Sequence, residues 1–357
     1  MLIEVYADVV DVWAYVARRR LRGALELIAD PAAHNAADQA ANRAAGQGPQ
    51  VPPTVIWRPF LIDPTAPSPS EELVPGDELM DSVLQQSEPG VGAAIRRLES
   101  RQAAEDEGLA VPEARWRPSS WAAHRMIAAA LEQGPEVQDE VVEKVLAAQF
   151  EYGLDINSLE FLAPLAAHFG LPAPVRLEGT ESALAYLQPG FPADDLLERT
   201  TREAQLFGQA VGVVESPTFV IDQTIVEIGA VSAEVLAARI TEFAQRPESS
   251  VPDEVRRVRA ARALLEVRNP RGSLYLLAPL RTEYEGDRGF ETLTARALAA
   301  SASLEPARAK LAELLERYPD DAYLQLLMGK TLKRLGHPDA DKHLSLATAM
   351  DPEYLDF

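Results

Sequence analysis

Strand-forming stretches are few in this 357-residue chain and lie far apart, and their spacing restricts the fold more than any other feature. A β-rich run at residues 2–8 leads directly into an amphipathic helical pattern over 12–29. A second run, TVIWRPFLIDP (54–64), follows. Strand signals return only at 216–229, with Asp222-Gln223 as a tight hairpin connection, and a final helix comes after them. This order predicts a small α/β domain interrupted by a helical insertion at about 70–210.

The chain changes character after residue 245. The polar stretch RPESSVPD, residues 246–253, predicts a linker that closes a first domain at 1–245. Beyond it, Pro319 and Pro352 lie 33 residues apart, close to the period of tetratricopeptide helix pairs. The remainder is therefore predicted to be an all-α domain, 254–357. Its three tetratricopeptide-like repeats are expected at about 254–287, 288–320 and 321–353. Residues 31–50, rich in Ala, Asn and Gln, predict a surface excursion of the first domain.

Charge and cysteine content exclude several classes of function. With 34 Lys+Arg against 55 Asp+Glu, the net charge is −21, which repels nucleic acid and anionic membrane surfaces. The chain has no cysteine, which excludes disulfides, thiolate metal sites and thiol catalysis. The five histidines show no metal-ligand spacing, so no metal is predicted. No long apolar run or signal-peptide pattern is evident, and a cytoplasmic location is expected.

Five stretches carry a resemblance to a known family: DVVDVWAYVARRR, IWRPFLIDP, AHRMIAAA, FEYGLDI and LFGQAVGVVESPTFVID. In this order they resemble the DsbA-type oxidoreductases of the FrnE group, relatives of 2-hydroxychromene-2-carboxylate isomerases and kappa-class glutathione transferases. The resemblance implies an α/β thioredoxin fold with a large helical insertion, and dithiol–disulfide exchange as the family's activity. The tetratricopeptide-like domain would follow this fold.

The resemblance also locates the family's active site and shows that it is degenerate. Asp11 stands where the family has its nucleophilic cysteine and Ala14 where it has the resolving one, with Val12-Trp13 between them. Ser216-Pro217 matches the cis-proline and the residue before it. Because both sulfur positions are lost, no residue of the chain is predicted to be catalytic, and thiol–disulfide exchange is excluded.

Aspartate suits the start of a helix for electrostatic reasons. The free N–H groups and the positive end of the helix dipole stabilise a carboxylate there, and Asp is among the best N-cap residues. Asp11 is therefore predicted to cap the helix and to keep a low pKa. Such a group would be a weak base and a poor acid, since proton transfer near neutrality needs a carboxyl pKa of roughly 6–7.

Eight residues are candidates for contact with a ligand or peptide, each with a plain structural alternative. Trp13 and Tyr15 either line a binding surface or pack against the helical insertion. His124 contacts a ligand or is a hydrogen-bonded core histidine. Ser216, the residue before the cis-proline, offers its backbone N–H and C=O to an extended ligand. Alternatively, Pro217 is present only because the hairpin of the fold requires it. The full set is Asp11, Val12, Trp13, Tyr15, His124, Ser216, Pro217 and Thr218.

Two functions from different classes remain open. The first is a redox-inactive binding or scaffolding protein without a cofactor, whose repeat domain binds a protein or peptide partner. The second is a small-molecule isomerase or transferase-like enzyme resembling the chromene-carboxylate isomerases, with glutathione as cofactor and a place in secondary metabolism. A third, an oxidoreductase whose cysteines were replaced, is disfavoured because Ser or Ala at both sites would be usual. Neither the oligomeric state nor the arrangement of the two domains follows from the sequence.

Overall fold

The computed structural model describes residues 1–29, 52–73, 93–111, 115–174, 195–246 and 251–356. The chain divides into two compact units, Met1–Ser249 and Ser250–Phe357, and each is described by itself. The excursion predicted at 31–50 lies outside the described residues, as do residues 247–250 of the predicted linker.

The first unit contains six strands and seven helices within the described residues. The strands are β1 (Leu2–Ala7), β2 (Thr54–Pro59), β3 (Glu71–Glu72), β4 (Trp116–Arg117), β5 (Thr218–Ile221) and β6 (Thr224–Ile228). The helices are α1 (Val12–Ala29), α2 (Ala93–Asp106), α3 (Trp121–Leu131), α4 (Pro135–Phe150), α5 (Leu159–Phe169), α6 (Leu196–Val211) and α7 (Ala233–Ala244). The helix predicted over 12–29 is confirmed, and helices α2–α6 occupy the described part of the insertion.

Four strands form a mixed sheet in the order β2-β1-β5-β6. Strand β1 pairs in parallel with β2 and antiparallel with β5, and β5 pairs antiparallel with β6. Asp222 and Gln223 have φ angles of 49° and 61°, as a two-residue hairpin turn requires, which confirms the predicted connection. Strand β2 ends at Pro59, five residues before its predicted end at 64, because its neighbour β1 already ends at Ala7.

The two faces of this sheet are covered by different helices. Ile3, Val5 and Ala7 of β1 belong to the main core, together with residues of α1, α3, α4 and α7. Tyr6 points to the other face and packs next to Gly208 of α6. A Cβ at position 208 would lie 2.4 Å from the Tyr6 ring, so only glycine allows helix and sheet to approach this closely.

Side chains of the insertion also protect the outer edge of β2. The Gln138 side chain, completely buried on α4, accepts a hydrogen bond from the Trp57 N–H (2.8 Å) and donates one to the Trp57 carbonyl (3.0 Å). It thereby replaces the partner that a further strand would supply. The short β3–β4 pair was not predicted, because two-residue strands leave no periodicity in the sequence.

The second unit is all-α within its described residues. Its helices are α8 (Asp253–Glu266), α9 (Pro270–Leu277), α10 (Arg288–Ala300), α11 (Leu304–Arg317), α12 (Ala322–Leu335) and α13 (Ala340–Met350), with short 3-10 turns at Ala278–Leu280 and Pro352–Asp356. Each helix packs against the next along the chain. Helices α8, α10 and α12 each have a small buried residue, and the three are spaced 34 residues apart: Ala261, Ala295 and Gly329. Helix α8 begins at Asp253, the last residue of the predicted linker.

Close contact between two helices explains why position 329 is a glycine. A Cβ at Gly329 would lie 2.7 Å from the Leu344 side chain of α13, so glycine allows α12 and α13 to approach each other. Among the helices of the described ranges, none combines the length and the apolar character that crossing a membrane would require.

Candidate functional site

The start of α1 is built by Asp8 and Asp11, which follow the end of β1. The Asp11 N–H donates to the Asp8 carbonyl (3.0 Å), and the Ala14 N–H donates to the Asp11 carbonyl (3.0 Å). One carboxylate oxygen of Asp11 accepts a hydrogen bond from the Trp13 N–H (3.1 Å). Asp11 is therefore the N-cap of α1, and the predicted capping role is confirmed.

The loop before β5 lies beside this helix start. Because β5 runs antiparallel to β1, Ser216 comes opposite Asp8, and the Ser216 hydroxyl accepts a hydrogen bond from the Asp8 N–H (3.0 Å). The same hydroxyl lies near the Asp11 carboxyl and lowers its pKa. The Ser216–Pro217 peptide bond is cis. The structure thus brings together Asp11, Ser216 and Pro217, which the resemblance had related across 200 residues of sequence.

The backbone of this loop is only partly used by the fold. The Pro217 carbonyl accepts a hydrogen bond from the Gly229 N–H (2.8 Å), and the buried Thr218 hydroxyl donates to the Glu215 carbonyl (2.7 Å). Within the part of the chain that the structure describes, the N–H and C=O of Ser216 make no hydrogen bond. Ser216 is half-buried, so these two groups are available to a ligand.

Asp8 belongs to the site and was missed by the sequence reasoning. Its side chain is 1% exposed, and one carboxylate oxygen accepts a hydrogen bond from the Ile62 N–H (2.7 Å). The other lies 3.4 Å from Nε2 of His124, which is 3% exposed. An aspartate directly after a buried strand, between Ala7 and Val9, was the available signal, because an acid in such a position must find partners.

Burial gives Asp11 an unexpected pKa. The side chain is 8% exposed, and its desolvation raises the pKa from 3.8 to about 7. Hydrogen bonds from Ser216 and from the Trp13 N–H oppose this rise, and the negative charge of Asp8 adds to it. The prediction of a low pKa is therefore wrong, because loss of hydration outweighs the helix N-terminus and its hydrogen bonds.

This pKa changes what the site can do chemically. Near neutrality the Asp11 carboxyl is divided between its protonated and ionised forms, so it can both give and take a proton. No Lys or Arg forms an ion pair with Asp8 or Asp11 among the described residues. Buried acids without a compensating cation occur often at functional sites.

The remaining candidates of the sequence analysis fall into two groups. Val12 and Trp13 are half-buried and pack against the main core at the start of α1, next to the site. Ala14 and Tyr15 are buried, and the Tyr15 hydroxyl donates to Glu151 (2.5 Å), so Tyr15 packs against the insertion and does not line a surface. Its burial and this hydrogen bond raise the pKa of the phenol well above its ordinary value.

Metal binding finds no support in the described part of the chain. No group of three or more His, Asp or Glu side chains there is arranged to hold an ion. His124 faces Asp8, and His343 of the second unit faces Gln325 with 2.6 Å between Nδ1 and Oε1.

A thioredoxin-like sheet, a capped helix following β1 and a cis-proline before β5 define this unit as a thioredoxin-fold domain. The family model of the DSBA-like thioredoxin domain matches residues 2–241. The chain therefore belongs to the DsbA-like thioredoxin family. It contains no cysteine.

Two solved structures are similar to the chain. A probable DsbA oxidoreductase from Streptomyces coelicolor is 22% identical, with a TM-score of 0.47 over 71% of this chain and 94% of that one. A 2-hydroxychromene-2-carboxylate isomerase is 12% identical, with a TM-score of 0.41 over 68% of this chain and 96% of that one. No curated protein matches the chain.

Proposed function

We propose that residues 1–249 are a redox-inactive, ligand-binding member of the DsbA-like family. The observation that carries this proposal is the unengaged backbone of Ser216 beside the Asp11 carboxyl. An extended ligand would add to this loop like an edge strand and receive hydrogen bonds from both groups. Exchange of disulfides needs a thiolate nucleophile, which the chain does not contain.

The protonation of Asp11 would decide which ligands the site accepts. Below about pH 7 the Asp11 carboxyl is neutral, so it no longer repels an anionic ligand that approaches the positive end of the α1 dipole. Above that pH the carboxylate repels such a ligand. Ligand affinity is therefore expected to fall as the pH rises through 7 if the ligand carries a carboxylate.

Titration of the ¹⁵N-labelled full chain with S-methylglutathione and with a capped extended peptide tests this proposal. Both probes have an extended backbone and neither can exchange a disulfide. The expected result is amide shift changes at Asp11, Trp13 and Ser216, weakened or altered in Asp11→Asn and unchanged in Asp222→Asn, an exposed acid of the same unit. Shift changes at none of the three amides with either probe would contradict a ligand site there.

The pKa of Asp11 favours a second candidate function, a proton-transfer enzyme of the isomerase type. A carboxyl with a pKa of about 7 donates a proton at slightly acidic pH and accepts one at slightly alkaline pH. Ser216 and Asp8 would hold the carboxyl in place, since each contacts it or its neighbouring backbone. Glutathione would be the cofactor that the chromene-carboxylate isomerases suggest by resemblance.

Isomerisation of 2-hydroxychromene-2-carboxylate in the presence of glutathione is the direct assay. An enzyme of this kind should show a rate that changes with an apparent pKa near 7, and Asp11→Asn should lower kcat by at least a hundredfold, the usual contribution of a general acid or base. Asp222→Asn serves as the control. A rate equal to the uncatalysed one at pH 6, 7 and 8 would reject this substrate class.

The second unit would add a separate binding surface. Tandem helix pairs expose an extended face along the stack, and such faces commonly bind peptides. We therefore propose a tetratricopeptide-like role in partner binding for Ser250–Phe357, supported by its packed consecutive helices and by the 34-residue spacing of its small buried residues.

A further inference from the structure

A cavity of about 160 Å³ lies on the face of the sheet that carries the Tyr6 side chain, opposite the main core. We call it the Tyr6 cavity. It is formed by the end of β1, the end of β2 with the loop that follows, and the second half of α6. Four of its lining residues are buried and four are half-buried, so the cavity extends from the interior to the surface. These eight residues are Tyr6, Pro59, Phe60, Leu61, Gln205, Gly208, Gln209 and Val213.

The Tyr6 cavity is separate from the site already described. None of its lining residues is Asp8, Asp11, His124, Ser216 or Pro217. It is therefore a second candidate binding site of the first unit, and it stands independently of the function proposed for the Asp11 site.

Backbone contacts hold the walls of the Tyr6 cavity in place. The Phe60 N–H donates to the Ala7 carbonyl (3.2 Å), which extends the contact between β1 and β2 beyond Pro59. At the end of α6 the Val213 N–H donates to the Gly208 carbonyl (2.9 Å). A cavity whose walls are fixed in this way needs little ordering when a ligand enters, which favours binding.

The size and the walls of the cavity favour a single aromatic ring. An engineered cavity of about 150 Å³ in another protein binds benzene. The Tyr6 cavity, at about 160 Å³, has room for one six-membered ring with a small substituent. The rings of Tyr6 and Phe60 belong to one apolar cluster with Val213. Aromatic rings gain more from packing against one another than the buried area alone provides.

Gln205 supplies a hydrogen-bond donor at the cavity. Its Oε1 accepts a hydrogen bond from Nη1 of Arg202 (2.7 Å), and this contact fixes the orientation of the amide. The NH₂ group of the same amide is then left for other partners. Within the part of the chain that the structure describes, it donates no hydrogen bond. Because Gln205 lines the cavity, a ligand with a carbonyl oxygen would find its donor there.

Charge disfavours an anionic ligand. None of the eight lining residues is charged. The Arg202 guanidinium behind Gln205 is already paired with Glu198 (3.1 Å). A carboxylate in the cavity would lose its hydration without gaining a cation. In addition, Met1–Ser249 has 38 Asp+Glu against 18 Lys+Arg, and this excess repels anions.

We propose that the Tyr6 cavity binds one small, neutral aromatic molecule with a carbonyl group attached to its ring. The ring packs against Tyr6 and Phe60, and the carbonyl oxygen accepts a hydrogen bond from the Gln205 amide. Aryl ketones have this shape and this acceptor. Aryl carboxylates carry a charge that the cavity does not compensate, and alkenylbenzenes lack the acceptor.

Titration of the ¹⁵N-labelled full chain with three probes of similar shape tests this proposal. They are acetophenone, α-methylstyrene, which has CH₂ in place of the carbonyl oxygen, and benzoate. Acetophenone should shift the amide signals of Leu61, Gly208 and Val213. Its Kd should be about fivefold lower than that of α-methylstyrene, which corresponds to one net hydrogen bond of about 1 kcal/mol. Benzoate should bind at least fivefold more weakly than acetophenone.

Each of three other results would overturn the proposal. Equal affinity for acetophenone and α-methylstyrene would show that no carbonyl is recognised. Tighter binding of benzoate would show that the ligand is an anion. No shift at the three amides with any probe would show that the cavity does not bind rings of this size.

Two variants locate the ligand in the cavity. Leu61→Trp, at a half-buried lining residue, should fill the cavity and weaken binding of acetophenone at least tenfold. Its control is Val235→Trp on α7, where the side chain is 45% exposed, and this variant should bind within twofold of the unchanged chain. An unchanged affinity in Leu61→Trp would overturn the Tyr6 cavity as the binding site.

Gln205→Leu tests the hydrogen bond itself. This variant should lose about fivefold in affinity for acetophenone and stay within twofold for α-methylstyrene. The exposed Gln245, changed to Leu, is the control and should alter neither. An equal loss for both probes in Gln205→Leu would overturn the role of the amide. If removal of the Arg202 partner destabilises this variant, the probe series and Leu61→Trp still decide the proposal.

The Asp11 site is distinguished by its own amides. Acetophenone should leave the Ser216 signal unchanged, and Asp11→Asn should bind it as the unchanged chain does. Shift changes at Asp11 and Ser216 without any at Gly208 would overturn the Tyr6 cavity and assign the ligand to the Asp11 site.

Discussion

Two buried clusters of the first unit contain carboxyl groups in opposite surroundings. In the Glu198 cluster, Glu198 is 2% exposed and accepts hydrogen bonds from Trp121 (2.8 Å), Arg202 (3.1 Å) and Arg125 (3.3 Å). The Arg202 guanidinium also stacks over the Trp121 ring at 3.8 Å. In the Asp8–Asp11 cluster, which includes His124 and Ser216, the two buried carboxyls have no Lys or Arg partner among the described residues.

The difference separates a structural ion-pair network from a candidate site. The Glu198 carboxylate, paired with two guanidinium groups, links α3 to α6, and removing it would leave buried cations without this partner. Ionising an unpaired buried carboxyl costs free energy, which raises its pKa. Such a carboxyl therefore keeps its proton until the pH approaches neutrality. Equal burial thus has opposite consequences, and amide substitutions in the two clusters should change stability in opposite directions.

The largest effect is expected in the Glu198 cluster. Glu198→Gln keeps the shape but removes the buried carboxylate that both Arg125 and Arg202 contact, so that Arg125 keeps only its ion pair with Asp195. The free energy of unfolding should fall by about 3–5 kcal/mol. Urea denaturation at pH 8, followed by tryptophan fluorescence, measures the change. Arg199→Ala, on the exposed side of the same helix, should stay within about 0.5 kcal/mol. Equal stability of Glu198→Gln and the unchanged chain would show that the network is not needed.

The Asp8–Asp11 cluster should respond with the opposite sign. Because the folded pKa of Asp11, about 7, lies above its unfolded value of 3.8, the folded state binds this proton more tightly. The contribution of Asp11 to stability is then largest at low pH and falls as the pH rises from about 4 to 7, by up to about 4 kcal/mol. Asp11→Asn removes this dependence and should be more stable than the unchanged chain at pH 8.

A pH series of the same urea experiment, at pH 4.5, 6 and 8, measures this difference. Asp222→Asn is the control and should keep the slope of the unchanged chain, since Asp222 is exposed. If Asp11→Asn loses stability at pH 8 as Glu198→Gln does, then the ionised Asp11 carboxylate is stabilised by its partners in the folded protein. The contrast between the two clusters would then disappear.

Ser216→Ala should sharpen the contrast through a smaller shift. The Ser216 hydroxyl lowers the pKa of Asp11 by hydrogen bonding, so its removal should move the pH midpoint upward by roughly one unit, as expected for a hydrogen bond to a charged group. Nuclear magnetic resonance of the Asp11 carboxyl carbon follows the titration directly. A midpoint that moves downward would mean that the hydroxyl favours the protonated form.

Asp8→Asn should give the smallest change, in the opposite direction. The charge of Asp8 raises the pKa of Asp11 but is the weakest of the four influences, so the midpoint should fall by less than about one unit. The same carbon resonance reports it. A fall as large as the whole rise from 3.8 would show that repulsion between the carboxyls, and not burial, raises the pKa.

Local patterns of the sequence predicted much of the first unit. The helix at Val12–Ala29 and the hairpin turn at Asp222-Gln223 follow from periodicity and turn chemistry, which depend on neighbouring residues. The short β3–β4 pair and the early end of β2 did not follow, because both depend on partner strands from other parts of the chain. The same limit applies to Gln138, whose role is defined only by the edge strand that it covers.

For the candidate site, the sequence pointed to Asp11, Ser216, Pro217 and His124 but not to Asp8, and it did not predict the protonation of Asp11. Residue type at position 11 and its place before a helix predicted the cap, since capping is local. The contacts of Asp8 with Ile62 and His124, and the burial of both carboxyls, depend on segments more than 50 residues away.

The sequence by itself determined that this protein has no thiol chemistry, because no cysteine is present to perform it. It also determined a helix cap at Asp11. Only the tertiary structure decided the charge of that cap, because the free energy of an ionised carboxyl depends on how much water the surrounding elements exclude. Desolvation is a property of packing in three dimensions, and it overcame what the helix start alone had predicted.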